Sequence, residues 1–264
     1  MVNLILCTGR GGTGKSTFSA MVSKYLSPPL LLIDADPDQS LADMLGVDLE
    51  KEGVSTVASM VSDAKNMGGL SPRLYFDELK DSLYANCICR SQELDLLTLG
   101  TKWAEGCYCL EDNSLKGIIP RLIGEYESVV IDSPAGLEHL NRRVVSHIDD
   151  LFVLSDPSLK STRHVERMKR VTGEVNITYD FLYLVANHEF NEEAERYLQD
   201  LGEHYFGKID YDVNVKDYNL KGKSLWDLPE DSPACLSVKG LLRRIQQIDS
   251  DHFQLREEML TRAC

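Results

Sequence analysis

Long apolar runs and basic residues are scarce in this 264-residue chain, and we expect no leader segment. No apolar run approaches the roughly 20 residues that a membrane-spanning helix needs, so we expect no membrane span. The 28 lysines and arginines stand against 42 aspartates and glutamates, and a net charge of −14 argues against binding to nucleic acid or to anionic membranes. The chain enters its first apolar stretch without the basic region and cleavage site of a secretory signal, so we expect a cytoplasmic protein.

Repeats, low-complexity tracts and obvious linkers are also missing, and the length fits one domain over residues 1–264. A hydrophobic content of 43% and a charged content of 27% are typical of a soluble globular protein. The seven cysteines are not expected to form a disulfide framework in the cytoplasm, which makes metal or redox roles more probable for them.

The most informative motif covers residues 9–16, which read Gly-Arg-Gly-Gly-Thr-Gly-Lys-Ser after a predicted strand at residues 2–7. Glycines let successive backbone N–H groups turn towards the β- and γ-phosphates of a nucleotide, Lys15 adds a positive charge, and the Ser16 hydroxyl can ligate Mg²⁺. A helical apolar pattern follows, so a helix N-terminus points at the same anion. The candidate ATP-binding residues of this loop are Gly11, Gly12, Thr13, Gly14, Lys15, Ser16 and Thr17.

Short runs of Leu, Ile and Val alternate with helical patterns through the rest of the chain. We predict further strands at residues 30–33, 94–99, 128–131, 151–154 and 181–185, and helices at 39–45, 114–126, 142–147, 162–171, 191–201 and 234–260. Residues 47–93 carry helices that the pattern does not place. This order predicts an α/β fold, a three-layer α/β/α P-loop NTPase with a mostly parallel central sheet, whose ligands bind at the carboxyl ends of the strands.

Two acidic segments follow predicted strands. In Asp-Ala-Asp-Pro-Asp at residues 34–38, Asp36 is the candidate for orienting or deprotonating the water that attacks the γ-phosphate, although these acids could instead cap the next helix, as Asp38 could. In Asp-Ser-Pro-Ala-Gly at residues 132–136, Asp132 suits the coordination sphere of Mg²⁺, and Gly136 lets a backbone N–H approach the γ-phosphate. A plain turn at the end of a strand is the alternative.

Together these motifs resemble the MinD/ParA class of deviant Walker A ATPases, which implies an ATP hydrolase. In that class an early lysine of the loop reaches the nucleotide of a partner subunit, and this sequence has Arg10 there, which keeps the charge and adds a bidentate fork. The resemblance therefore implies catalytic roles for Lys15, Arg10 and Asp36. It also places Asn187 at the adenine edge, where the usual Asn-Lys pair reads Asn-His.

A Cys-x-Cys pair, Cys107 and Cys109, lies in the segment at residues 106–113. Two thiolates do not complete a tetrahedral metal site, but two protomers that each contribute a pair would. The alternative is two ordinary cysteines in a loop. A second pair, Cys87 and Cys89, is more readily explained as buried small residues than as a metal or redox site.

The residues around Cys107, and Ala-Gly-Leu-Glu-His-Leu at 135–140, resemble the CooC family of carbon monoxide dehydrogenase accessory ATPases. The resemblance implies a nucleotide-promoted homodimer that holds Ni²⁺ or Zn²⁺ on Cys107 and Cys109 of both subunits and releases it on hydrolysis. The implied client is carbon monoxide dehydrogenase, into which nickel is inserted. The family's Ile-Pro-Tyr near the base reads Ile-Asp-Tyr at residues 209–211, and His139 could act around the site or be a surface residue.

Two alternatives remain open from the sequence. An iron–sulfur electron-transfer or cluster-carrier ATPase would use the same cysteines, although the nitrogenase iron protein takes its ligands around and after switch II, where this chain has no cysteine between Asp132 and Cys235. A MinD/ParA-type positioning ATPase would act on DNA or membrane, against which the acidic composition argues.

Overall fold

The computed structural model describes residues 3–66, 81–102, 109–137, 144–187, 190–200 and 205–245. In these ranges eight strands form one sheet in the order β3-β4-β2-β5-β1-β6-β7-β8, and every neighbouring pair is parallel except β3 and β4. The strands are β1 Asn3–Gly9, β2 Leu30–Asp34, β3 Ile88–Arg90, β4 Asp95–Thr98, β5 Ser128–Asp132, β6 His147–Ser155, β7 Thr178–Ala186 and β8 Tyr205–Lys208.

Helices cover both faces of this sheet. They are α1 Lys15–Ser23, α2 Ser40–Met44, α3 Val57–Asn66, α4 Cys109–Ile123, α5 Leu159–Glu174, α6 Glu192–Asp200 and α7 Val213–Leu220, with a 3-10 turn at Leu225–Asp227 and further helical residues at 81–86 and 233–245. Among the described residues, no helix is both long enough and apolar enough to cross a bilayer.

Two hydrophobic clusters, one on each face of the sheet, produce the three layers. On one face, alternate residues of the central strands pack against α3, α4 and α5, as Leu31, Ile118 and Met168 illustrate. On the other face, the intervening strand residues pack against α1, α2 and the helix at 233–245, as Leu32 and Phe18 illustrate. Because central strands such as β2 are buried along their whole length, they need an apolar residue at every position rather than at alternate ones. The α/β prediction is thereby confirmed.

Several element predictions need correction. The helix predicted at residues 142–147 is wrong at its end, since residues 144–146 are not helical and His147 begins β6, while residues 138–143 lie outside the described ranges. The charged pair Asp149-Asp150 hid the start of this strand. Asp150 is 4% exposed, and the Asp149 carboxylate accepts a hydrogen bond from the Leu4 N–H at 2.6 Å. Parallel pairing with both β1 and β7 keeps these residues extended.

Other boundaries moved without changing the fold. Helix α4 begins five residues before the predicted start and contains Pro120. Strands β3 and β8 and helix α7 were not predicted, because three or four residues on a sheet edge leave little periodicity, and α7 buries none of its residues.

Candidate nucleotide and metal site

The phosphate loop connects β1 to α1 at the centre of the sheet. Gly9 has φ +152°, and a Cβ there would lie 2.5 Å from the Leu154 carbonyl oxygen of β6. Gly14, with φ +87°, precedes α1 and would collide with the amide of Asn187 if it carried a side chain. Glycine is required at both positions, because the loop must pass close to β6 and to the end of β7 in a left-handed conformation.

The loop is organised around the carbonyl oxygen of Arg10. This oxygen accepts hydrogen bonds from the Thr13 hydroxyl at 2.9 Å and from the Lys15 Nζ at 3.3 Å. Lys15 is only 6% exposed. Its ammonium group therefore lies over the loop, as the sequence predicts for a lysine that binds phosphate.

Two carboxylates, Asp34 and Asp132, end the neighbouring strands β2 and β5 in register, and both are fully buried. One oxygen of Asp132 accepts a hydrogen bond from the Ser19 hydroxyl at 3.1 Å, while Oδ2 has no hydrogen-bond partner among the described residues. Burial raises the pKa of Asp132 to about 6, and the Ser16 hydroxyl and the Lys15 charge oppose that increase. A buried, unpartnered carboxylate oxygen beside a serine hydroxyl suits Mg²⁺, which prefers oxygen ligands, so both predicted magnesium residues fit the ion.

Asp34 has a different role from Asp132. Its two oxygens accept hydrogen bonds from the N–H groups of Leu41, at 3.0 Å, and Asp36, at 3.1 Å. Asp34 therefore satisfies the start of α2 and fixes the loop that carries Asp36. Burial raises its pKa well above the ordinary value, and the charge of Asp132 adds to the increase. The alternative in which Asp38 caps this helix is wrong, because the residue at the N-cap is Gln39.

Asp36 is half-buried at the carboxyl end of β2. Its Oδ1 accepts a hydrogen bond from the Asp38 N–H at 3.1 Å, and its charge contributes to the raised pKa of Asp132. The structure thus brings the predicted catalytic carboxylate close to the predicted magnesium ligand. Its action on water remains a prediction.

The segment after β5 is tied to the phosphate loop through the backbone. The Ser133 N–H donates to the Cys7 carbonyl at 3.1 Å, and the Gly136 N–H donates a long hydrogen bond to the Gly9 carbonyl at 3.4 Å. Gly136 has φ +94°. For the predicted contact with the γ-phosphate, the Gly136 N–H would have to leave the Gly9 carbonyl. It would then form a stronger hydrogen bond with a charged phosphate oxygen.

The Arg10 side chain is held within its own chain. Its guanidinium lies 3.3 Å from Asp156 Oδ2 and 3.3 Å from the Ser158 hydroxyl, and the second oxygen of Asp156 accepts hydrogen bonds from the hydroxyls of Ser158 and Ser161. A cross-subunit role for Arg10 remains a prediction, and it would require breaking this contact.

A cavity of about 340 Å³ lies beside the phosphate loop. It includes the predicted residues Gly14, Thr17 and Asn187, and the Asn187 amide donates to the Thr13 carbonyl at 2.9 Å. Its other walls come from α1, from the turn after β8, from α7 and from the helix at 233–245; they are Phe18, Met21, Ile209, Asp210, Tyr211, Asp212, Val215, Lys216, Asn219 and Ala234. An apolar floor with polar edges fits a nucleotide base.

The Cys-x-Cys segment is described only in part. Cys107 lies outside the described residues, as do His139 and His188, and Cys109 is the first residue of α4, with its side chain outside the described set. Lys102, which precedes Cys107 in the sequence, and Glu111, which follows Cys109, form an ion pair at 3.7 Å with both side chains nearly buried.

The second cysteine pair, Cys87 and Cys89, lies at the start of β3. Cys87 and Cys89 are both buried, but they belong to the two hydrophobic clusters on opposite faces of the sheet. Burial raises the pKa of Cys87 to about 12 and also raises that of Cys89, which disfavours the thiolate that metal binding needs. The interpretation of these two residues as buried small side chains fits this arrangement.

Sequence reasoning missed three residues that organise the site: Ser19, Asp156 and Thr101. Ser19 lies inside a helix four residues after Lys15, where a buried hydroxyl was a detectable signal. Asp156 directly follows β6, and Asp132 is the last residue of β5, so the strand-end rule that indicated Asp132 could have found Asp156 as well. Nothing in the sequence pattern indicates the contacts of Thr101.

Comparisons with known proteins agree with this geometry. The family described as "CobQ/CobB/MinD/ParA nucleotide binding domain" matches residues 4–225. An uncharacterized ATP-binding protein of Methanocaldococcus jannaschii is 33% identical over 255 residues, which cover 92% of this chain and 98% of that protein. The carbon monoxide dehydrogenase accessory protein CooC of Rhodospirillum rubrum is 28% identical over 253 residues, which cover 88% and 91% of the two chains.

Among solved structures, the cell division ATPase MinD of Pyrococcus furiosus superposes with a TM-score of 0.69 at 19% identity, covering 94% of this chain and 100% of that one. This likeness shows the shared fold. With the nucleotide loop at the centre of a parallel sheet and the family match over most of its length, the chain belongs to the CobQ/CobB/MinD/ParA family of nucleotide-binding domains.

Proposed function

We propose that this protein is an ATP-dependent metallochaperone that delivers nickel to carbon monoxide dehydrogenase. In this proposal an ATP-bound homodimer holds Ni²⁺ or Zn²⁺ as cargo on Cys107 and Cys109 of both subunits, and hydrolysis releases it. The CooC likeness supports the client, and the cysteine pair supplies thiolates that suit either metal. The observation that carries the proposal is a chain of contacts from the nucleotide loops to the cysteine segment.

That chain of contacts begins at the loop of Asp36. The Thr101 hydroxyl donates to the Pro37 carbonyl at 2.7 Å and accepts from the Gln39 side-chain amide at 3.3 Å. The next residue, Lys102, pairs with Glu111, so the residues on either side of Cys107 and Cys109 are linked to each other and, through Thr101, to this loop. A movement of the loop on ATP binding would therefore change the position of the thiolates.

The residues of the nucleotide site have distinct roles in the proposed hydrolysis. Lys15 and the loop N–H groups bind the phosphates, and Asp36 orients water for attack on the γ-phosphate. Asp132 and Ser16 would hold Mg²⁺, which neutralises charge on the phosphate oxygens when it is bound. Loss of the γ-phosphate removes the contact to Gly136 and releases the loop of Asp36, which loosens the dimer and its metal site. Metal and ATP would each favour the closed dimer, so each should tighten the binding of the other.

The first test measures metal stoichiometry and mass in solution, with and without ATP and Mg²⁺. We expect about one Ni²⁺ or Zn²⁺ per nucleotide-bound dimer on the thiolates, and loss of this ion in Cys107→Ala/Cys109→Ala. The matched control is Cys87→Ala/Cys89→Ala, which changes the other pair and should retain the metal. Dimerisation on ATP without cysteine-dependent metal would overturn the chaperone proposal.

The second test addresses the contacts of Thr101. Thr101→Val removes the hydroxyl at nearly constant volume, and we expect it to reduce the effect of ATP on metal affinity by several-fold, since one to two hydrogen bonds are lost. Thr101→Ser keeps the hydroxyl and should behave like the wild type. Equal coupling in the valine variant and the wild type would show that the signal does not pass through this residue.

A positioning ATPase is the second candidate function, because the family to which the chain belongs includes MinD and ParA. Co-sedimentation with liposomes or DNA at physiological salt tests it. Binding that depends on ATP and is unaffected by Cys107→Ala/Cys109→Ala would favour this candidate over the chaperone.

A further inference from the structure

A histidine and two carboxylates lie close together at the amino ends of β6 and β7, whereas the candidate nucleotide site lies at the carboxyl ends of the strands. His147 and Asp149 are the first and third residues of β6, and Asp180 is the third residue of β7. The register pairs His147 with Thr178, which places all three side chains on one face at the amino ends of the two strands. With a rise of about 3.3 Å per residue, this cluster lies roughly 26 Å from the other end of β6.

The distances among the three side chains are close to those of metal ligands. His147 Nε2 lies 3.5 Å from Asp149 Oδ1 and 3.6 Å from Asp180 Oδ2, and one ligand atom from each residue lies within 4.8 Å of the other two. Two ligands at about 2.0–2.1 Å from a tetrahedral Zn²⁺ are separated by about 3.3 Å. Movements of a few tenths of an ångström would bring His147 into this geometry with each carboxylate, and the two carboxylates, whose ligand atoms lie within 4.8 Å of each other, would have to approach by up to about 1.5 Å.

Neighbouring groups orient two of the three side chains. His147 Nδ1 lies 3.0 Å from the Thr178 hydroxyl, which in turn lies 3.5 Å from the Ser146 carbonyl. If this hydroxyl donates to that carbonyl, it accepts from Nδ1–H, and the tautomer with an unprotonated Nε2 is the one that can bind a cation. The second oxygen of Asp149 accepts the Leu4 N–H, which fixes this carboxylate as well. Metal-ligating side chains are commonly held by hydrogen bonds of this kind.

Charge and access favour a cation at the same place. In the described part of the chain, no lysine or arginine forms an ion pair with Asp149 or Asp180, so the cluster carries two negative charges when the imidazole is neutral. The side chains of His147, Asp149 and Asp180 are 51%, 30% and 55% exposed, which lets an ion enter and leaves positions for water.

We propose that His147, Asp149 and Asp180 form a binding site for one divalent transition-metal ion of the Zn²⁺, Ni²⁺ or Co²⁺ class, with water in the remaining positions. One imidazole nitrogen with carboxylate oxygens is a donor set that such ions accept. The site is separate from the cysteine pair and does not depend on the proposed function.

The surroundings connect this site to helix α4. His147 and Asp149 form part of the wall of a cavity of about 580 Å³, to which α4 contributes Ile119, Pro120 and Ile123. The same helix begins at Cys109, so its two ends lie near the two candidate metal sites, about 21 Å apart along its axis.

The test uses the Cys107→Ala/Cys109→Ala variant, so that thiolate binding does not mask the site. Equilibrium dialysis against Zn²⁺ and Ni²⁺ near pH 7.5 should show about one bound ion per chain. Adding His147→Ala or Asp180→Asn should weaken binding by at least tenfold. Adding Asp48→Asn, which removes a surface charge paired with Lys51, should leave the affinity unchanged.

A second measurement distinguishes a metal site from a simple ion pair between a protonated histidine and two carboxylates. Diamagnetic Zn²⁺ should shift the imidazole NMR signals of His147 at substoichiometric concentrations. No retained metal in the cysteine variant, or retained metal that survives both His147→Ala and Asp180→Asn, would overturn the proposal.

Discussion

At the carboxyl ends of the strands Asp34 and Asp132 are fully buried, whereas at the amino ends the side chains of Asp149 and Asp180 are 30% and 55% exposed. Burial raises the pKa of both acids at the carboxyl ends, so their negative charge opposes folding at neutral pH unless a cation or donor compensates it. The buried carboxylates at the carboxyl ends of the strands therefore destabilise the fold, and a bound cation would offset that cost, whereas Asp149 and Asp180 at the amino ends are in contact with water.

The largest expected effect tests the catalytic half of this comparison. Asp36→Asn removes the carboxylate that we propose orients water, and we expect ATP hydrolysis to fall by about 10²–10⁴-fold while nucleotide affinity changes little. Single-turnover hydrolysis together with fluorescent-nucleotide titration measures the two quantities. Asp38→Asn, an exposed acid in the same loop, is the control and should stay within a few-fold of the wild type. Equal activity of the two variants would show that Asp36 takes no part in hydrolysis.

A smaller effect is expected at the amino ends of the strands. Thr178→Val removes the acceptor for His147 Nδ1 without changing the volume of the side chain much, so the imidazole loses its orientation. We expect metal affinity at this site to fall by about tenfold, in line with the loss of a supporting hydrogen bond. Dialysis in the Cys107→Ala/Cys109→Ala background measures this affinity, and Thr178→Ser should restore it. A valine variant with unchanged affinity would show that Thr178 does not position the ligand.

The smallest expected effect concerns stability and pH. Because the folded-state pKa of Asp132 is raised to about 6, the folded chain binds more protons than the unfolded chain between about pH 4 and pH 6, and stability falls as the pH rises through that window. From pH 5 to pH 7 this group should lower the free energy of unfolding by roughly 1 kcal/mol. Urea unfolding without nucleotide should show a flatter pH dependence in Asp132→Asn than in the wild type. Parallel curves would mean that Asp132 does not titrate there.

Sequence alone predicts which residues come together at the carboxyl ends of the strands, but not which come together at the amino ends, for a physical reason. The residues at 9–16, Asp36 and Asp132 follow apolar strands, and a parallel sheet brings the ends of its strands together, so their proximity follows from the order of elements. His147 and Asp180 are 33 positions apart, and only the pairing of β6 with β7 places them side by side. That register depends on long-range packing, which a single sequence does not display.

The same limit applies within the candidate nucleotide site. Lys15 and Gly14 are predictable because phosphate binding constrains residue type at fixed spacing. The Arg10 guanidinium pairs with Asp156, which is 146 positions away in the sequence. Lys102 pairs with Glu111, which lies in the first turns of α4, and the sequence pattern predicted the start of that helix five residues too late. Side-chain pairing of this kind follows from tertiary contacts rather than from local pattern.

The short outer strands of the sheet have a consequence for association. In the described part of the chain, β3 at one edge has three residues and runs antiparallel, and β8 at the other has four residues and an irregular register against β7. Short and irregular edge strands offer few unpaired backbone N–H and C=O groups, so they disfavour the addition of a strand from another chain and aggregation. Two copies of this chain that associate would therefore meet through helices or loops, and not by extending the sheet.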